Sequence, residues 1–90
     1  MHGEYKVPGG KLVVVDLEVD QDRLIDVKVS GDFFLDPDDA LTRITGALEG
    51  APASSSAKEL SELVAAALHG GDTLMGVNPE AVGIAVRRAL

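Results

Sequence analysis

Ninety residues, 46% of them apolar, suffice for one domain spanning 1–90 with a modest core, because small chains bury a smaller fraction of their surface on folding. A net charge of -7 argues against nucleic acid as a primary partner, since phosphate binding needs clustered Lys and Arg. The absence of cysteine excludes a disulfide framework, a thiolate metal site and a cysteine nucleophile.

Aromatic residues make up only 3% of the chain, so the core is expected to be built from Val, Leu, Ile and Ala. No apolar run approaches the roughly 20 residues of a membrane helix. Met1-His2-Gly3-Glu4-Tyr5-Lys6 lacks the apolar stretch of a signal peptide. These features lead us to expect a soluble cytoplasmic protein with no membrane partner.

Residues 1–10 read as a loop ending in Val7-Pro8-Gly9-Gly10, a turn-forming group. Leu12-Val13-Val14-Val15 is apolar on both sides, and Asp16 to Val19 alternate, as in a strand covered on both faces at its start and on one at its end. Asp20-Gln21-Asp22-Arg23 reads as a loop of about four residues. Beyond it, Ile25, Val27 and Val29 alternate with polar neighbours, which completes an antiparallel hairpin. Gly31 breaks the alternation, and Phe33 and Phe34 then read as the start of a short third strand or of an extended segment packed on the first two.

The second half has helical periodicity. Asp36 is placed to cap a first helix with Pro37 at its first position, followed by an apolar face of Leu41, Ile44 and Leu48. Gly46 inside that helix suggests a close neighbour there. Ser56 and Glu59 form a capping box for a second helix with the stripe Leu60, Leu63, Val64, Ala67 and Leu68. Asn78, Pro79 and Glu80 open a third, with Val82, Ala85, Val86 and Ala89 on one side and Arg87 and Arg88 near the negative end of its dipole. The expectation is strands within about 11–35 and helices at about 37–49, 57–69 and 79–90, an α+β layer with three helices over a small antiparallel sheet.

Candidate chemistry is sparse. His2 lies near a terminus and His69 at a helix end, and neither has an evident nucleophile beside it. Asp36, Asp38 and Asp39 are accounted for by helix capping, and their spacing matches no calcium loop, so no metal site and no catalytic residue is assigned. Two segments stand out. In Lys6-Val7-Pro8-Gly9-Gly10-Lys11, glycines beside lysine allow backbone N–H groups and an ammonium to approach an anion, although a plain turn into a strand explains the same residues. In Ser30-Gly31-Asp32-Phe33-Phe34, adjacent rings point to opposite faces, so that one ring enters the core while the other faces a helix or serves as an interface anchor.

Lys6 to Lys11, the hairpin strand Leu24-Ile25-Asp26-Val27-Lys28-Val29, the group from Ser30 to Phe34, a helix closing in Leu48-Glu49-Gly50, and Gly76-Val77-Asn78-Pro79-Glu80 before the last helix together resemble the C-terminal accessory domain of lipoate-protein ligases. The resemblance covers residues 5–50 best. It implies a fold similar to the scaffold of iron-sulfur assembly proteins, without their cysteines. It further implies support for ATP-dependent formation of lipoyl-adenylate by a large catalytic domain, before lipoyl transfer to a lysine of a carrier domain. ATP, magnesium and lipoate are then expected in the complex and none on this chain alone.

The large domain's glycine-rich segment after paired arginines is missing, for Arg87-Arg88 lead only to Ala89-Leu90, so the chain is expected to be inactive alone. A start at Met1 so close before the motif leads us to expect a separately encoded small subunit. On this reading Lys6, Gly9, Gly10 and Lys11 lie nearest the nucleotide or active site, and Asp32, Phe33 and Phe34 shape the partner interface. A non-enzymatic adaptor or scaffold binding another protein or a small acyl ligand is the alternative.

Overall fold

The computed structural model describes all 90 residues. In chain order the elements are β1 (His2–Lys6), β2 (Leu12–Asp20), β3 (Arg23–Gly31), β4 (Phe34–Asp36), α1 (Asp39–Leu48), α2 (Ala57–Ala67), β5 (Thr73–Met75) and α3 (Pro79–Ala89). β1, β2 and β3 form an antiparallel sheet in that order, and β4 pairs with β5 as a separate ribbon. The expected α+β architecture therefore holds.

The membership of the sheet differs from expectation. Its third strand is β1, in register from His2↔Asp16 to Lys6↔Leu12, and the Phe34 segment leaves the hairpin to join β5. The physical reason is Gly3. A β-carbon there would overlap the backbone at Ala85 and Ala89 and lie 2.8 Å from the Arg88 carbonyl carbon, so only glycine lets β1 lie directly against α3. β1 does alternate, with Gly3 and Tyr5 facing inward between exposed His2, Glu4 and Lys6, but an inward glycine carries no hydropathy signal.

β2 buries Val13, Val15 and Leu17 and leaves Leu12 and Val14 half-buried, so it is covered fully on one face rather than two at its start. The hairpin turn holds two residues rather than about four: Gln21 and Asp22 have φ of 50° and 63°, the mirror-image turn that suits strand twist. A bulge follows, where Asp26 and Val27 oppose Leu17 and Asp26 has φ 52°. The extra residue resets the alternation, so Leu24, Val27 and Val29 are buried and Ile25 turns to the half-buried side. Glu49, at the end of α1, accepts the Val27 N–H at 2.6 Å and ties helix to bulge.

Asp36 belongs to β4 and does not cap α1. The N-cap position falls to Asp38, whose side chain makes no cap hydrogen bond. The Ser56–Glu59 capping box forms in both directions, and Asn78 Oδ1 accepts the Ala81 N–H at 2.7 Å. Of the expected stripe on α2, Leu60 and Val64 are buried while Leu63 is 37% exposed. α3 packs between the sheet on one side and α2 on the other, which explains why Ala81, Val82, Gly83, Ala85, Val86 and Ala89 are all buried. Gly83 permits the α2 contact, since a β-carbon would lie 2.5 Å from the Ala57 carbonyl oxygen.

Gly46 is not a packing glycine: a β-carbon there meets nothing within 4 Å. Gly46→Ala is therefore expected to stabilise the fold by about 0.5–1 kcal/mol. Gly3→Ala should destabilise it by about 1–3 kcal/mol through overpacking against α3. Urea unfolding of the two variants checks both signs.

Candidate functional site

The two segments marked in the sequence meet at one end of the molecule. Within Val7–Lys11, the Val7 N–H donates to the Lys11 carbonyl at 3.0 Å and the Gly10 N–H to the Val7 carbonyl at 2.8 Å, with Gly9 at φ 71°. The Lys6 ammonium donates to the carbonyls of Val7 (3.0 Å) and Gly10 (2.6 Å), so it closes its own loop. The Lys11 N–H donates to the Gly76 carbonyl at 3.0 Å, and the stem of Lys11 lies on the face of Gly76, where a β-carbon would stand 2.5 Å from Cγ. Lys11 is exposed, and its ammonium has no ion pair within the chain.

Two residues beyond Lys11, Val13 pairs with Gly31. Gly31 sits at φ 152° in contact with the Leu12 carbonyl, a position a side chain would block, and there β3 ends. Asp32 is exposed, Phe33 packs partly buried against the core, and Phe34 is 56% exposed. One ring thus packs against the core while the other stands in solvent. Directly opposite Phe34 on the ribbon stands Met75, 61% exposed and next to Gly76. Beside this pair an open groove of about 350 Å³ is lined by Val29, Phe33, Phe34, Leu41 and Asp38.

Met75 is the site residue that sequence reasoning missed. Its signal is a three-residue strand between Gly71 and Gly76, with Leu74 turned in and Met75 out, too short for periodicity to mark. The second omission is Arg43. Its guanidinium forms a bidentate pair with Asp72 (2.8 and 2.9 Å) and donates to the Ala67 carbonyl at 2.8 Å, while Asp72 also accepts the His69 N–H at 2.7 Å. The Asp72 side chain is only 4% exposed, and the Arg43 hydrogen bonds, with the His69 amide, hold its carboxyl well below the usual carboxylate range. Because Asp72 immediately precedes β5, this pair fixes the strand that carries Met75.

The histidines take other places. His2 is part of β1 rather than a loose end, with Nε2 2.6 Å from Glu4 and Nδ1 2.8 Å from Asp16. Hydrogen bonding to Glu4 and then to Asp16 raises its pKa above the ordinary 6.5. This makes a small contribution to stability that is full below pH 6.5 and lost as pH rises through the raised value. His69 is exposed beyond the end of α2. Asp39 pairs with Arg43 at 3.4 Å, and no three His, Asp or Glu side chains converge as metal ligands. No helix is long and apolar enough to cross a membrane.

Fold and site together describe a small α+β domain that gathers a lysine-bearing loop and an exposed apolar pair at one end. No protein-family model matches the chain. Among solved structures it is similar, with a TM-score of 0.72 and 29% identity over 97% of this chain and 98% of the other, to a chain from an archaeal lipoylation system, a bi-partite lipoate protein ligase and its E2 lipoyl domain from Thermoplasma acidophilum. It is also 33% identical over 69 residues to lipoate-protein ligase A subunit 2 of Thermoplasma acidophilum, a match covering 77% of this chain and 69% of the relative. The chain belongs to the family of that second, accessory subunit of lipoate-protein ligase.

Proposed function

We propose that the chain is the accessory subunit of a two-chain lipoate-protein ligase and is required when a large catalytic subunit forms lipoyl-adenylate from ATP and lipoate. The lipoyl group then passes to a lysine of a carrier domain such as an E2 lipoyl domain. The observation that carries this reading is the likeness over nearly the whole of both chains to a member of a bi-partite ligase. The site agrees with it, because Lys11 is a free cation displayed on a rigid loop, while Lys6 is spent in holding that loop. ATP, magnesium and lipoate enter with the large subunit in this reading. Lys11 is the group of this chain suited to meet a phosphate, and Gly9 and Gly10 keep the loop free of side chains around it.

The test is to mix the chain with the large subunit, ATP and lipoate and to follow pyrophosphate release. Omission of the small chain should abolish most of the adenylation, and equal rates with and without it would overturn the proposal. Lys11→Ala should lower adenylation roughly tenfold, the size of one lost charge contact in a sheltered site, with an unchanged melting curve. Unchanged kinetics would return Lys11 to the status of a solvated turn residue.

A further inference from the structure

Only four large apolar side chains are exposed, Met1, Phe34, Leu63 and Met75, and two of them are cross-strand partners on the β4–β5 ribbon. Cross-strand neighbours on one face lie about 5 Å apart at Cβ, so the two make one continuous patch. Aromatic rings and methionine are the residue types enriched at interface centres. Around the patch stand Asp32, Asp36 and Asp38, all exposed and none paired with a cation of this chain. A second copy of the chain would bring the same carboxylates face to face, so charge alone selects against self-association and for a basic partner.

Resting on the function proposed above, we infer that Phe34 and Met75 are the anchor by which this chain grips its large ligase subunit, and that the receiving surface is an apolar pocket rimmed by Lys and Arg. The anchor is held before binding. Phe33 roots β4 in the core beneath it, and the Arg43–Asp72 pair fixes the start of β5, which lowers the ordering cost of association. The geometry also gives the anchor a second consequence. Met75 adjoins Gly76, on which Lys11 lies, so a partner seated on the anchor covers the Lys11 loop in the same act.

The experiment is titration calorimetry of the large subunit with the wild-type chain, with the Phe34→Ser/Met75→Ser double variant, and with Leu63→Ser as an exposed control on α2. The double variant should bind at least about 100-fold more weakly while still unfolding in one cooperative transition, with only a small drop in melting temperature because both side chains are more than half exposed. Leu63→Ser should bind as wild type. Asp32→Lys with Asp38→Lys should slow association and flatten its salt dependence. Wild-type affinity in the double variant overturns the inference, as does a loss confined to Leu63→Ser. Self-association of the wild-type chain through this pair, with large-subunit binding unaffected in the double variant, overturns it too. Failure of the wild-type chain to bind the large subunit at all strikes the functional proposal itself and is distinguishable from these outcomes.

Discussion

Asp72→Ala should lower the melting temperature by on the order of 10 °C, although residue 72 lies in a loop and outside the apolar core. The change removes the two carboxylate oxygens of the bidentate pair and leaves a largely covered Arg43 cation with only the Ala67 carbonyl and a longer, exposed contact to Asp39. It also strips the His69 N–H of its acceptor. A test separates the charge pair from general disruption. Replacing both partners, as Arg43→Met with Asp72→Leu, should recover much of the loss, because an uncompensated charge is worse than no charge. Recovery no better than the single variant would show that geometry, rather than the orphaned cation, dominates.

The same pair sets an acid limit. The folded-state pKa of Asp72 is depressed, so its contribution is complete above the ordinary value of 3.8 and is lost as pH falls below it toward the folded value. Wild-type stability should drop below about pH 4, and Asp72→Ala should lack that part of the slope. Thermal melts between neutral and acid pH measure both.

Leu24→Ala should cost about 2–5 kcal/mol, a large fraction of the roughly 5–13 kcal/mol expected for a domain of this length. Leu24 is fully buried, and its backbone joins the hairpin to the α1–α2 connection, donating to the Ala51 carbonyl at 2.9 Å and accepting from the Gly50 N–H at 2.8 Å. The fully buried core has no aromatic ring, being made of Leu, Ile, Val and Ala. Small branched side chains already locked by their neighbours have little reach with which to fill a leucine-sized void, which places the cost toward the upper part of the range. Urea denaturation gives the number directly, and a cost near that of an exposed leucine would refute the placement of Leu24 at the core.

The parts of this fold legible in the sequence are those whose cause is local. The capping box at Ser56 and Glu59, the Asn78–Pro79 start and the dense periodicity of α3 each rest on residues a few positions apart. The failures share one physical origin, a partner distant in the chain. β1 is hidden in the sequence because one of its two inward residues is glycine, required by the backbone of α3 more than 80 positions away. Asp36 offered a plausible cap, but β5 claims it as a strand residue. Gly46 suggested a neighbour that does not exist. At the site, the two segments were each visible, but their meeting depends on Gly76, and the completing residue Met75 stands on a strand defined only by its pairing with β4.

The contact between β1 and α3 bears on how the chain acquires its shape. Arg88 stacks 5.0 Å over the Tyr5 ring and donates to the Glu4 carbonyl at 3.1 Å, a link across 84 positions. During synthesis β1 is therefore without this cover until α3 has been made, and the loop between them must close before the contact can form. Without α3 the sheet would lose the helix that covers its apolar side.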